Sequence, residues 1–456
     1  MFFATVISVI LAFAFILRYV WRSSQPSSYS NSDIQDIRAL KPQNDVSLAF
    51  LRLVDDDGAG EWPPKANHDD WPSSLRPYKN IYLLTSPFLA TAEPSMDDDT
   101  NRTRCQRFRS RMTSLLAEHI NLEDVQDILN VVEKGHWQQF SRDSYNGFYS
   151  CIACLRHAYR WGTNPVVKVV QEEKQLRFPL ELDIPWSYCQ RRFGITSPGG
   201  NIMANIVCNF DQRGDPVYLV NEGMSEVVQK TELAWGHLFL DSEIKGVPLY
   251  CAMIKAIGSF EKGDKIATLE YSKVASHHLR KVFKNIYEHM NDLHVAHSVW
   301  AKHISGIHGW AMKLESDKNQ VEYGGLSGSQ ILVFQAVDAF LGLSSYHPDH
   351  EIAWHISRNM RFLSTALRVH SFRKRLSKSH DDASIGTVLD QMIKQLRNFR
   401  SVHRVRAVRY LSAPVPERVP MTAALSVLEL PNGMSAAEGI HQSITVVLDK
   451  RLSETV

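Results

Sequence analysis

Net charge is almost absent from this 456-residue chain: 51 Lys and Arg stand against 49 Asp and Glu, leaving +2. That balance creates no field to gather a polyanion, so neither a nucleic acid nor a strongly acidic partner is implied. Cysteine is scarce, six in all. Cys151 and Cys154 have CxxC spacing but sit in the apolar run FYSCIACLRHAYRW, and no second CxxC exists. This excludes a zinc ribbon and leaves buried, unpaired thiols, which suit a cytosolic setting. HExxH is missing, and the pairs His294/His297 and His347/His350 have no clear third ligand, so no zinc site is expected. No repeat of about 20–50 residues appears. Alternating strand patterns are few, with Asp215 to Val220 (DPVYLV) the best of them.

Long hydrophobic runs are rare as well, and the exception is at the N-terminus. Residues 2–21 read FFATVISVILAFAFILRYVW. Such a run spans roughly 30 Å as a helix, the thickness of the hydrocarbon core. No basic stretch precedes it, and it is longer than a signal-peptide core. It reads as a single-pass signal anchor, residues 1–24, with 25–45 as a flexible tether rich in Ser. Arg18 and Arg22 flank its C-terminal side, which places the remainder of the chain in the cytosol, on an endoplasmic reticulum membrane. The sequon at Asn101 should then stay unmodified.

What is abundant is helical periodicity. Leu279, Val282, Phe283, Ile286, Met290 and Leu293 form one stripe; Ile385, Val388, Leu389, Met392, Ile393, Leu396 and Phe399 form another. Such stripes bury one face of a helix, so the class is mostly α. Polar breaks fall at Asp211 to Asp215 and at Glu315 to Gly328. Among nineteen His, His370 and His403 stand out. Each lies on an amphipathic helix downstream of a helix opened by a small-residue loop. A haem-binding His needs a neutral ring and a helix that fixes its direction. The residues alone do not choose between these two.

Three segments carry a resemblance: GGLSGSQILVFQAVDAFLGL from Gly324, RNMRFLSTALRVHSFRKRL from Arg358, and QLRNFRSVHRVRAVRYL from Gln395. Together they resemble the C-terminal core of the indoleamine 2,3-dioxygenase family. The resemblance implies a smaller N-terminal domain (46–228), a large helical haem domain (229–450), haem b with its iron, and a monomeric catalytic domain. It matches His370, downstream of Met360 and Arg361, to the family's proximal ligand, and His403 to a recurrent Arg-Ser-x-His that is not the ligand. Asp338 matches the FQxxDxxLG pattern, with Arg361 or Arg368 as the expected partner. Ser327 and Gly328 belong to the small-residue loop expected to approach the porphyrin and to move.

Departures from the family concern the substrate. The arginine that binds the substrate carboxylate falls on Ala301, two aromatic pocket positions fall on Ala296 and His297, and a small distal position falls on Phe239. Trp235 keeps an aromatic pocket position. PNGMSAAEG (431–439) replaces the Gly-Thr-Gly-Gly loop. The implied function is a haem-dependent oxygenase using dioxygen on an indole or related aromatic other than free tryptophan, in natural-product biosynthesis. His297 would be the distal group and Trp235 the aromatic wall. A hydroxylase or rearranging enzyme of the same fold, or a haem-binding sensor, are the alternatives.

Overall fold

A computed structural model describes residues 29–39, 44–305, 310, 312–313, 322–345, 349–411, 415–418 and 449–455. The fold is mostly helical, as the periodicity implies. The principal helices are α1 (Asp98–His119), α2 (Arg142–Trp161), α3 (Leu180–Phe193), α4 (Glu226–Glu261), α5 (Lys265–His289), α6 (Leu332–Phe340), α7 (Arg358–Val369) and α8 (His380–Leu411). Their starts follow local chemistry. Asp97, Ser141 and Ser357 cap α1, α2 and α7 by accepting backbone N–H bonds. Gly162 and Gly194 end α2 and α3 in the left-handed region.

Two cores result. One gathers α1, α2 and α3 around Trp71, Phe148 and Trp186. The larger joins α4, α5, α6, α7 and α8 around Val247, Leu279, Val333 and Leu389. Ile34, Ile37, Phe50, Leu53 and Trp62 also lie in the larger core. The chain therefore threads its early residues through the large core before building the smaller one. The expected tether is helical over Tyr29–Ala39, with Ile34 and Ile37 buried and Asp36 paired to Lys255 at 2.8 Å. Two apolar residues three apart suffice to dock this turn, despite its polar composition.

The expected strand at 215–220 is irregular. Asn209 holds it instead, through its side-chain bonds to the Tyr218 N–H (2.8 Å) and carbonyl (3.0 Å). Extended pairing among the described residues is a two-residue ladder, Met312 with Tyr323 and Lys313 with Glu322. The apolar segment 2–21 lies outside the described residues, and among those no helix is long and apolar enough to cross a membrane. Asn101 is buried, its amide donating to the Ser95 carbonyl at 2.8 Å, so its sequon cannot report on topology. All six cysteines are buried and unpaired, as expected.

Candidate functional site

The helix α6 enters the large core through the loop 324–330. Gln330 ties this loop down by donating to the Gly325 carbonyl (2.9 Å) and accepting from the Ile202 N–H (3.0 Å). Gln335 donates to the Ser329 carbonyl at 2.6 Å. Ser327 Oγ shares a 2.9 Å bond with Ser329 Oγ. These bonds tie the described loop to α6 and to residue 202. A side chain at Gly328 would place its Cβ 3.2 Å from the Phe239 ring, so glycine here permits close packing on α4. Phe239 in turn meets Trp235 edge-on at 5.2 Å, and Trp235 meets Trp300 at 5.8 Å. Trp235 also borders a pocket of about 30 Å³ with Cys154, His157 and Glu232. That is room for about two waters.

Asp338 is buried at the far end of α6. Arg400 Nη2 donates to its Oδ1 at 2.7 Å, and Arg451 Nη2 to its Oδ2. Of the expected partners, Arg368 acts on Asp338 only through its charge, and both Arg361 and Arg368 make their hydrogen bonds elsewhere. Arg361 binds the carbonyls of Gly194 (2.9 Å) and Ile356 (2.6 Å), and Arg368 binds that of Leu343. Helix α8 and the C-terminal segment reach Asp338 first. Burial raises the Asp338 pKa, and the two guanidiniums oppose that rise.

The two histidines separate cleanly. His370 is the C-cap of α7, where the helix has ended. Its Nδ1 pairs with Glu261, its Nε2 lies 4.0 Å from Asp45, and its ring is 22% exposed. Carboxylates therefore flank both ring nitrogens at the surface. Phe372 takes the interior place instead, stacked on Phe260 at 4.6 Å. The geometry does not support His370 as an interior ligand.

His403 lies within the continuous helix α8 and stacks on Phe399 at 5.8 Å. Phe334 stacks on the same ring at 5.3 Å and is the one residue of α6 that is not buried. The His403 ring has no hydrogen-bond partner and keeps partial exposure, yet desolvation alone pushes its pKa down to about 4. At neutral pH it is an uncharged, unpartnered imidazole, the state a metal-binding His requires. The resemblance assigned the ligand role to His370, yet the spacing of His403 carries a signal too: it continues the stripe of Met392, Leu396 and Phe399 by four residues.

His297, expected as the distal group, is partly exposed. Its Nδ1 lies 2.8 Å from Asp292 Oδ1, and its ring is 4.1 Å from that of Tyr410. In the next turn of chain, Ala301, His303 and Ile304 are the buried residues. Among the described residues no group of three or more His, Cys, Asp or Glu could hold a metal ion. The five residues expected to hold a cofactor do not converge. Asp338 is linked to α8 through Arg400, one turn before His403.

Comparison with known proteins gives a family. The family model described as "IDO: Indoleamine 2,3-dioxygenase" matches residues 109–439, which include α2 to α8. No curated protein matches the chain.

Proposed function

On the premise that the chain belongs to the indoleamine 2,3-dioxygenase family, whose members are haem-dependent dioxygenase oxidoreductases, we propose that it oxygenates an indole or related aromatic compound and that His403 is the residue that holds the haem iron. The observation that carries this is the neutral His403 ring, held by the continuous helix α8 and stacked on Phe399, which Phe334 also meets. When bound, haem supplies the iron at which dioxygen reacts. The chain's own contribution is positional. Helix α8 fixes the direction of the imidazole, and the Asp338 pair with Arg400 anchors that helix one turn earlier. The aromatic rings of Trp235, Trp300 and Phe239 offer flat walls for a flat substrate.

Free tryptophan is not the substrate in this reading. At Ala301 the side chain brings a methyl group where the family's arginine would meet an α-carboxylate. Such a contact is worth about 1.5–3 kcal/mol, or roughly 10–150-fold in affinity. Phe239 also narrows the neighbouring space. A role in natural-product biosynthesis, and a membrane anchor formed by residues 2–21, belong to the same proposal and rest on sequence alone.

Haem reconstitution of the full chain tests the assignment. His403→Ala should abolish the Soret band, while His370→Ala should keep it. The opposite result would restore His370 as the ligand. Mass spectrometry of products formed under labelled dioxygen then separates insertion of two oxygen atoms from hydroxylation, and rapid formation of N-formylkynurenine from tryptophan would refute the substrate reading.

A further inference from the structure

The tetrapeptide Lys-Arg-Leu-Ser occurs twice in the chain, at 374–377 and at 450–453. Two cations placed two and three residues before a serine are a charge pattern that a protein kinase with an acidic substrate cleft can read. Reading requires that the cations be accessible and that the segment lie extended in the cleft. The fold treats the two copies oppositely. In the second, Arg451 is 3% exposed and is committed to Asp338 and to Glu454, and the segment is helical. In the first, Lys374, Arg375 and Ser377 are all exposed on the connection between α7 and α8. Residues 376–379 form neither helix nor strand. Arg375 rests on the face of Phe260 at 5.0 Å, an exposed contact that a carboxylate can replace. Nearby Ser379 lacks the pattern, because Leu376 and Ser377 stand at those two positions before it.

Ser377 already has a structural task. Its N–H and its hydroxyl both donate to Asp382 Oδ2, at 2.8 and 2.6 Å. Asp382 is 4% exposed, and its other oxygen pairs with Lys265 Nζ at 2.7 Å. Lys265 is the first residue of α5, and Asp382 stands in the first turn of α8. One carboxylate therefore latches the starts of both helices together. We propose that Ser377 is a phosphorylation site for a basic-directed protein kinase and that its phosphate opens this latch. Ser377 Oγ bonds to the γ-phosphorus of ATP, the bond from that phosphorus to the ADP oxygen breaks, and the hydroxyl proton passes to the kinase's catalytic carboxylate. The resulting ester oxygen donates no hydrogen bond. A group carrying about −1.5 to −2 charge then stands where a hydroxyl had touched a buried carboxylate. Like charges at that distance repel, so the phosphate turns towards solvent and Asp382 loses a donor.

Incubation of the full chain with the catalytic subunit of cyclic-AMP-dependent protein kinase and ATP, followed by phosphopeptide mass spectrometry, tests the site. Ser377 should carry phosphate, and Ser377→Ala should lose that phosphopeptide. Arg375→Gln should slow its formation at least about tenfold, the loss of one charge-assisted contact. Ser453 should stay unmodified. An unmodified Ser377 overturns the proposal, and so does modification of Ser453 at an equal rate. Hydrogen exchange of the phosphorylated chain reads the latch. Amides of residues 383–388 should exchange at least about tenfold faster than in the unmodified chain. Ser377→Ala, which removes the hydroxyl without adding charge, should show a smaller rise. Exchange left unchanged by full phosphorylation, or raised as much by Ser377→Ala, overturns the opening of the latch.

Discussion

Arg400 and Asp338 form a buried ion pair, Nη2 to Oδ1 at 2.7 Å, one helical turn before the imidazole of His403. Arg451 from the C-terminal segment closes on the other carboxylate oxygen. The pair thus ties α6, α8 and the chain terminus at one point, and it sets how far α8 can slide or rotate. Asp338 compensates both buried cations, and Glu454 adds a second carboxylate to Arg451 at 2.6 Å.

Asp338→Ala should therefore destabilise the protein strongly. Removing one member of a buried ion pair costs about 3–5 kcal/mol, because the remaining charge is left uncompensated. Denaturant unfolding checks this. Weaker haem retention should accompany the loss, since α8 carries His403. A change under about 1 kcal/mol, the range of surface pairs, would show that the pair does not hold the helix.

His297 should be dispensable. Asp292 and Tyr410 occupy its ring in the structure. His297→Ala should keep its haem content and change turnover by less than about tenfold, against the roughly 10²–10⁴-fold that a general acid or base contributes. Steady-state oxygen consumption measures it, and a loss in the larger range would place the ring at the reacting centre.

Phe239→Ala should open space next to Gly328 and Trp235. The Phe239 ring is 5% exposed and packs on both. Truncating a core Phe costs about 3–5 kcal/mol. Bulkier aromatic ligands should bind better to the variant than to the unsubstituted protein, relative to small indoles. Ligand titration with a size series gives the comparison, and unchanged selectivity would remove Phe239 from the substrate wall.

Acid should weaken the smaller core through His68. Burial, then Lys79, pushes its pKa from 6.5 down to about 4, and its Nδ1 contacts the Tyr218 hydroxyl at 3.2 Å. Asp69 and Asp211 pull the other way. Because the folded pKa lies below the unfolded one, the neutral ring's stabilisation is complete above about pH 6.5 and is lost as pH falls towards 4. A shift of that size corresponds to about 3 kcal/mol. His68→Gln should flatten the melting-temperature profile between those limits. An equally steep profile in the variant would assign the acid limb to other groups.

The sequence by itself determined the helices and the identity of the loop that opens α6. Apolar spacing of three and four residues fixed which faces are buried, and the run from Gly324 to Leu343 fixed the family resemblance. It also fixed that Ala301 brings no cation. Tertiary structure decided which histidine faces inward. By spacing, His370 continues the stripe of Met360, Leu363 and Leu367, but α7 ends at Val369 and the chain turns, so Phe372 takes the interior place and His370 meets Glu261. His403 lies on a helix that runs unbroken to Leu411, so its phase is preserved and its ring stacks on Phe399. The partners of Asp338 are contacts across about 60 residues and more. No local pattern encodes such contacts, because they depend on how helices pack rather than on how each one forms.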